Sequence, residues 1–199
     1  MTANKKNRVC PVTLAGGLDN RIRTWLQNPR KILGPYVNEG MTVLDVGCGP
    51  GFFSIGLAQM VGKSGRVIAA DLQEGMLQKL RDKIQGTDLQ ERITLHKCEK
   101  GKLGLSENVD FVLAFYMVHE VPDQQGFLDE IKSILKPNGR VLIVEPPLHT
   151  SKAGFDETIR RAQNAGLKVI DRPKLFPNRV VVLENGEQAH QADTTEPRP

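Results

Sequence analysis

Cysteine is scarce and scattered in this chain. The three present, Cys10, Cys48 and Cys98, share no paired spacing, which argues against a zinc site or a disulfide framework and points to a reducing, cytoplasmic setting. Long apolar runs are lacking as well. The nearest candidate, Val9 to Leu18, is interrupted by Pro11, Gly16 and Gly17 and is far too short to cross a bilayer, so no membrane insertion is expected. Charge of one sign does not dominate either, since the net charge is only +4. The first forty residues concentrate it, with Lys5, Lys6, Arg8, Arg21, Arg23, Arg30 and Lys31 against Asp19 and Glu39. That stretch either attracts an acidic partner or is a solvated basic surface. It contains no recognised nucleic-acid module, so nucleic acid is not the expected partner.

What remains is ordinary for a folded domain. With 199 residues, 39% hydrophobic and 25% charged, the chain can bury one substantial core and leave tails. From Met41 onward, short β-rich runs alternate with segments of helical period. The runs are Thr42 to Val46, Arg66 to Ala70, Ile93 to His96, Val109 to Ala114, Arg140 to Val144, Leu167 to Ile170 and Val180 to Leu183. Between them, Met76, Leu77, Leu80 and Ile84 form one helical stripe, and Phe127, Leu128, Ile131, Ile134 and Leu135 form another. Gly62, Gly86, the Pro137, Asn138, Gly139 turn and Gly166 close the helices. This pattern predicts an α/β fold: a doubly wound, seven-stranded, mostly parallel sheet with helices on both faces. Only Asp171 to Arg179, with Pro173 and Pro177, separates the last two strands, too little for a parallel crossover. The last strand must therefore run antiparallel.

Two helices are expected ahead of the sheet, one capped by Asp19 with a Leu18, Ile22, Trp25, Leu26 stripe and one started by Asn28 and Pro29. The division is residues 1–40 as an N-terminal helical segment, residues 41–185 as the sheet domain, and residues 186–199 as a disordered tail without apolar period. The first helix either closes over the ligand cleft as a lid or packs statically on the sheet.

The first strand ends in Leu44, Asp45, Val46, Gly47, Cys48, Gly49, Pro50, Gly51, and Phe52 opens a helix. Such a turn brings backbone close to a ligand and presents amides at a helix N-terminus. A dinucleotide fingerprint would need a third glycine at position 52, where this chain has Phe. Asp45 ahead of the loop opposes a pyrophosphate and favours a ligand that is cationic at this end. Asp71, directly after the second strand, stands where a carboxylate can accept ribose hydroxyls.

The stretches VLDVGCGPGFFSIGLA and GRVIAADLQEGMLQKL resemble motif I and the following region of class I S-adenosylmethionine-dependent methyltransferases, and the likeness runs from about Gly40 to Leu183. The resemblance implies S-adenosylmethionine as cofactor. Gly47, Cys48, Gly49 and Gly51 would approach its methionine and ribose parts, with Asp45 at the amino group, Asp71 at the ribose hydroxyls and Leu72 and Phe115 lining the site. Glu99 aligns with the acid that the family offers to adenine, with Cys98 as the alternative.

Methyl transfer needs alignment more than dedicated chemistry, and a general base matters only where the acceptor must lose a proton. Tyr116 and His119 in FYMVHEVPD are the catalytic candidates, Tyr116 as base or pocket wall and His119 as base or structural histidine. The family's Asn/Asp-Pro-Pro-aromatic motif for base amines and its Pro-Cys pair for cytosine are missing after the fourth strand, and no histidine and carboxylate cluster suggests a metal. Glu145 to Ala153 leaves room only for a loop, without the cap of many small-molecule relatives. The expected activity is methyl transfer to a small-molecule or protein acceptor, with a non-catalytic S-adenosylmethionine-binding module as the alternative. A short-chain oxidoreductase is disfavoured, because Glu120 stands where that chemistry would place Lys four residues after Tyr116. Oligomeric state is left open.

Overall fold

The computed structural model describes residues 27–186. Seven strands form one sheet: β1 (Thr42–Val46), β2 (Arg66–Asp71), β3 (Ile93–Lys97), β4 (Val109–Phe115), β5 (Leu135–Glu145), β6 (Leu167–Asp171) and β7 (Arg179–Asn185). Their order is β3-β2-β1-β4-β5-β7-β6. The first five pair in parallel, and β7 runs antiparallel to both β5 and β6, as the short 171–179 connection demands. The reversal of strand order between β1 and β4 opens a crevice at their carboxyl ends, the place where doubly wound sheets bind ligands.

Alternate residues of each strand feed two cores. Leu44, Val46, Val112, Ala114, Val141 and Ile143 face one side, against α4 (Gln124–Ile134) and α5 (Lys152–Asn164). Val43, Phe111, Leu113, Phe115, Leu142 and Val144 face the other, against α1 (Pro29–Leu33), α2 (Phe52–Met60) and α3 (Glu74–Ile84). The two helical stripes read from sequence are buried throughout, although Leu135 already begins β5. This period-2 alternation places Asp45 on the α2 side, with Val43, and Glu145 on the α4 side, with Val141 and Ile143.

Helix boundaries follow local chemistry. Asn28, Asp123 and Ser151 cap α1, α4 and α5 by accepting backbone N–H groups of Lys31, Gly126 and Gly154. The expected Pro137–Gly139 turn is present as an excursion within β5: Leu135 pairs with Val109, the next pair is Arg140 with Phe111, and Asn138 between them takes φ +61°. The second expected N-terminal helix is α1, with Leu33 and Val37 buried against the α2 side of the sheet. The first helix, the lid expectation built on it and the tail from residue 187 lie outside the described residues. Among the described residues, no helix is long and apolar enough to cross a membrane.

Candidate active site

The loop after β1 turns through three glycines in the left-handed region, with φ +68° at Gly47, +55° at Gly49 and +87° at Gly51. They serve different ends. A Cβ at Gly47 would lie 2.9 Å from Cβ of Met117, and one at Gly51 would meet Leu80, so both permit close packing within the protein. A Cβ at Gly49 would meet nothing within 4 Å. Gly49 is therefore where the loop leaves room for a ligand to approach the backbone. Gly51 then starts α2 without a side-chain cap, unlike α1, α4 and α5. From α3, Lys83 Nζ donates to the Pro50 carbonyl at 2.7 Å and holds the loop from outside.

Two buried carboxylates flank this loop. Asp45, 2% exposed, accepts the Ser54 hydroxyl of α2 at 2.6 Å. Asp71, 7% exposed, accepts the Gly49 N–H at 2.9 Å through Oδ2 and the Gln73 N–H at 2.7 Å through Oδ1. Burial pushes its carboxyl above the usual range, only partly offset by those two N–H groups and Lys97. Each oxygen keeps a second lone-pair direction for a hydroxyl donor. Asp71 thus joins the end of β2 to the loop of β1. Leu72 follows it, its carbonyl held by Lys97 Nζ at 2.5 Å.

The adenine candidates separate. Cys98 is buried, and its N–H donates to the Asp71 carbonyl at 3.0 Å, while Glu99 is exposed and bridges to Lys102. Burial also pushes the Cys98 thiol up to about 11 and Cys48 further still, so neither presents a thiolate near neutral pH.

Beyond β4, Phe115 packs between Phe53 and Tyr116, each ring pair 4.4 Å apart. Tyr116 adopts φ +62°, rare outside glycine, and its hydroxyl donates to Asn178 Oδ1 at 2.6 Å and accepts from Gln27 Nε2 at 3.1 Å. That link ties the end of β4 to the β6–β7 connection and to the chain entering α1. A separate cavity of about 250 Å³ is lined by Asn28, Tyr36, Leu142, Leu175 and Val180 among others. Met117 lies over Gly47, and Val118–Glu120 form a single 3₁₀ turn.

His119 sits in that turn against Glu145, the last residue of β5 and only 1% exposed. Glu145 Oε2 accepts His119 Nδ1–H and the Thr150 hydroxyl, the latter at 2.9 Å, and Oε1 accepts the Val118 N–H at 2.9 Å. Burial pulls the His119 pKa down, but the hydrogen bond and charge of Glu145, with Glu120 beside it, outweigh this and hold it above the ordinary histidine value. Among the described residues, no group of three or more histidine, cysteine or carboxylate side chains is arranged to hold a metal.

The fold thus gathers Asp45, the glycine loop, Asp71, Leu72, Phe115, Tyr116 and His119 at the carboxyl edge of the central strands, with Glu99 at the periphery. Sequence reading missed Ser54, Lys83, Asn178 and Glu145. Each acts through a contact distant in sequence, and only the Glu145 position, at the end of a strand that feeds the crevice, carried a signal that could have found it.

A family model described as a methyltransferase domain matches residues 37–183. A demethylmenaquinone methyltransferase of Lactobacillus johnsonii is 38% identical over 146 residues, covering 71% of this chain and 54% of that protein. One from Oceanobacillus iheyensis is 33% identical over 126 residues, covering 63% and 52%. The chain spans about half the length of these relatives. A solved SAM dependent methyltransferase from Aquifex aeolicus superposes with a TM-score of 0.80 at 30% identity, covering 88% of this chain and 99% of that one. With a methyltransferase-domain model over residues 37–183 and a 30%-identical solved methyltransferase of the same fold, the chain belongs to the class I S-adenosylmethionine-dependent methyltransferase family.

Proposed function

We propose that this protein transfers a methyl group from S-adenosylmethionine to a small-molecule acceptor. The observation that carries the reading is the open space over Gly49, whose amide is fixed by the buried carboxylate of Asp71. The donor set suits the cofactor: hydroxyl acceptors remain on Asp71, a carboxylate stands ahead of the loop at Asp45, and the loop has room at Gly49. In this reading Gly47, Cys48, Gly49 and Gly51 follow the methionine and ribose parts, Asp45 supports the ammonium and Asp71 takes the ribose hydroxyls. Leu72 and Phe115 flank the nucleoside, and Glu99 serves the adenine edge. When bound, the cofactor supplies a methyl carbon whose bond to sulfur breaks with the electron pair staying on sulfur.

The chain's own residues bind, align and exclude water. Phe115 and Tyr116 form an aromatic wall for the acceptor, and the Gln27, Tyr116, Asn178 link keeps that wall in place. A small acceptor is supported by the names of the two relatives above. The test is incubation with methyl-labelled cofactor and a lysate divided into metabolite, protein and RNA fractions. Label is expected in the metabolite fraction. Label confined to protein or RNA would overturn the acceptor class, and binding without transfer to any fraction would overturn catalysis.

A further inference from the structure

The cavity of about 250 Å³ between α1 and the β6–β7 connection is lined by none of the residues gathered at the cofactor crevice. Leu142 of β5 and Val180 of β7, both buried, are its floor on the α1 face of the sheet. Ile32 and Tyr36 wall it on the α1 side, and Leu175 walls it on the other. The Tyr36 ring is stacked on Phe111, 6.1 Å between centroids and 4° from parallel, which gives that wall a fixed aromatic surface. Hydrogen bonds hold the two walls at a set separation. Gln27, next to Asn28 of the lining, donates to the Tyr116 hydroxyl at 3.1 Å, that hydroxyl donates to Asn178 at 2.6 Å, and the Asn178 N–H donates to the Leu175 carbonyl at 2.7 Å.

Charge at the rim is of one sign. Lys31 from α1 and Lys174 from the connection are exposed beside these walls, and no acidic residue lines the cavity. Asp171, the carboxylate whose charge acts on Tyr36, is outside the lining, and its Oδ1 accepts the Arg172 N–H. The arginines of the two floor strands are committed, Arg140 to Glu184 at 3.1 Å and Arg179 to the Thr150 carbonyl at 3.0 Å. Among the described residues, neither lysine ammonium donates to a carboxylate or a carbonyl. Two uncommitted cations above an apolar floor complement a ligand with an apolar body and one anionic end.

We propose that this cavity is a second binding site, for a small aromatic carboxylate whose ring lies over Leu142 and Val180 beside Tyr36 and whose carboxylate reaches Lys31 and Lys174. The site is independent of the methyltransferase reading above. The flat Tyr36 wall favours an aromatic body over a fatty chain, and the volume, just below the roughly 300–1,000 Å³ of pockets for drug-sized ligands, favours a small one. A carboxylate fits better than a phosphate, because the lining has point-charge lysines and lacks the arginine fork that grips phosphate with two parallel bonds.

The probes are 2-naphthoate, its neutral isostere 2-naphthamide, and decanoate, each titrated into the full-length protein with labelled methyl groups. Intermolecular NOEs from the naphthoate ring are expected to the methyls of Ile32, Leu142, Leu175 and Val180. Naphthoate is expected to bind about tenfold tighter than naphthamide and to weaken as salt rises, because its charge meets two cations at a solvent-exposed rim. Lys31→Met and Lys174→Met should each weaken naphthoate by about threefold, and together by about tenfold, with naphthamide unchanged. Leu175→Trp puts an indole into the space and should abolish binding of both. Ile32→Trp replaces it if that variant fails to fold, and the lysine variants, altered only at exposed side chains, test the anionic end on their own. Equal affinity for naphthoate and naphthamide, tighter binding of decanoate than of naphthoate, or unchanged affinity in the double lysine variant would overturn the proposal. So would NOEs to the crevice residues instead of the cavity methyls, or no binding of any probe.

Discussion

Asp71→Asn tests how the cofactor is held without altering side-chain size. The carboxylate takes one backbone N–H on each oxygen, from Gly49 and from Gln73, and is proposed to take a ribose hydroxyl on the remaining lone pairs. An amide keeps one acceptor oxygen and turns the other into a donor. One backbone N–H then faces a donor, and one ribose hydroxyl loses its acceptor. For the folded protein two terms oppose each other. Leaving a buried N–H unpaired costs about 1–3 kcal/mol, but removing a charge that burial already disfavours returns part of that. The residual is about 1 kcal/mol, or a fall in Tm of about 2–4 °C for a domain of this size. Binding has no such offset. Losing a hydrogen bond to a charged acceptor costs about 1.5–3 kcal/mol, and every 1.4 kcal/mol is about tenfold in Kd. Calorimetry with S-adenosylhomocysteine should therefore show affinity weakened by about 10- to 100-fold, while a thermal melt moves only a few degrees. Unchanged affinity would refute the ribose assignment, and collapse of the fold would make Asp71 structural.

The glycines should separate in the same way. Gly49→Ala meets open space and should cost only the backbone term of about 1–2 kcal/mol, with a larger loss of cofactor affinity, whereas Gly51→Ala should cost more stability because its Cβ strikes Leu80, as denaturant titration would show. In a Cys10→Ser background, Cys48 and Cys98 should react slowly with a thiol reagent at a pH of about 8 until the protein is unfolded, and rapid reaction would contradict their burial and raised pKa values. Tyr116→Phe removes the hydroxyl joining Gln27 and Asn178, and should raise the KM for the acceptor while costing about 1 kcal/mol of stability. Because the His119 pKa is raised in the folded state, its pairing stabilises the protein fully below the unfolded value and loses effect as pH rises through the folded one. His119→Gln should therefore cost more stability at a pH of about 5.5 than at about 9, a difference that melts at the two pH values would reveal.

Local pattern made most of the fold legible. The strand runs, the two helical stripes and the short 171–179 connection each followed from period or length, and the strands returned with ends moved by at most two residues, except β5, which begins at Leu135 and not at Arg140. The β5 excursion was legible only as a turn, because pairing on both sides of Pro137–Gly139 is a property of the neighbouring strand. In the site, Asp45, Asp71 and the glycines announced themselves because β1 and β2 end there and glycine alone tolerates the loop. Their division of labour did not, since whether Gly47 makes room for a ligand or for Met117 depends on a residue seventy positions away. Glu145 was legible as a strand end at the crevice, but not its pairing with His119, twenty-six residues away.

The glycine loop, Asp45 and Asp71 are proposed to form an S-adenosylmethionine site and not a dinucleotide site. Melting of the purified protein with S-adenosylmethionine, S-adenosylhomocysteine or NAD tests it most directly. A ligand that binds only the folded state at about 100 times its Kd adds about 2.7 kcal/mol, enough to raise Tm by several degrees. That rise is expected with the first two ligands, and no shift with NAD. Equal stabilisation by NAD, or no shift with either sulfur ligand, would contradict it.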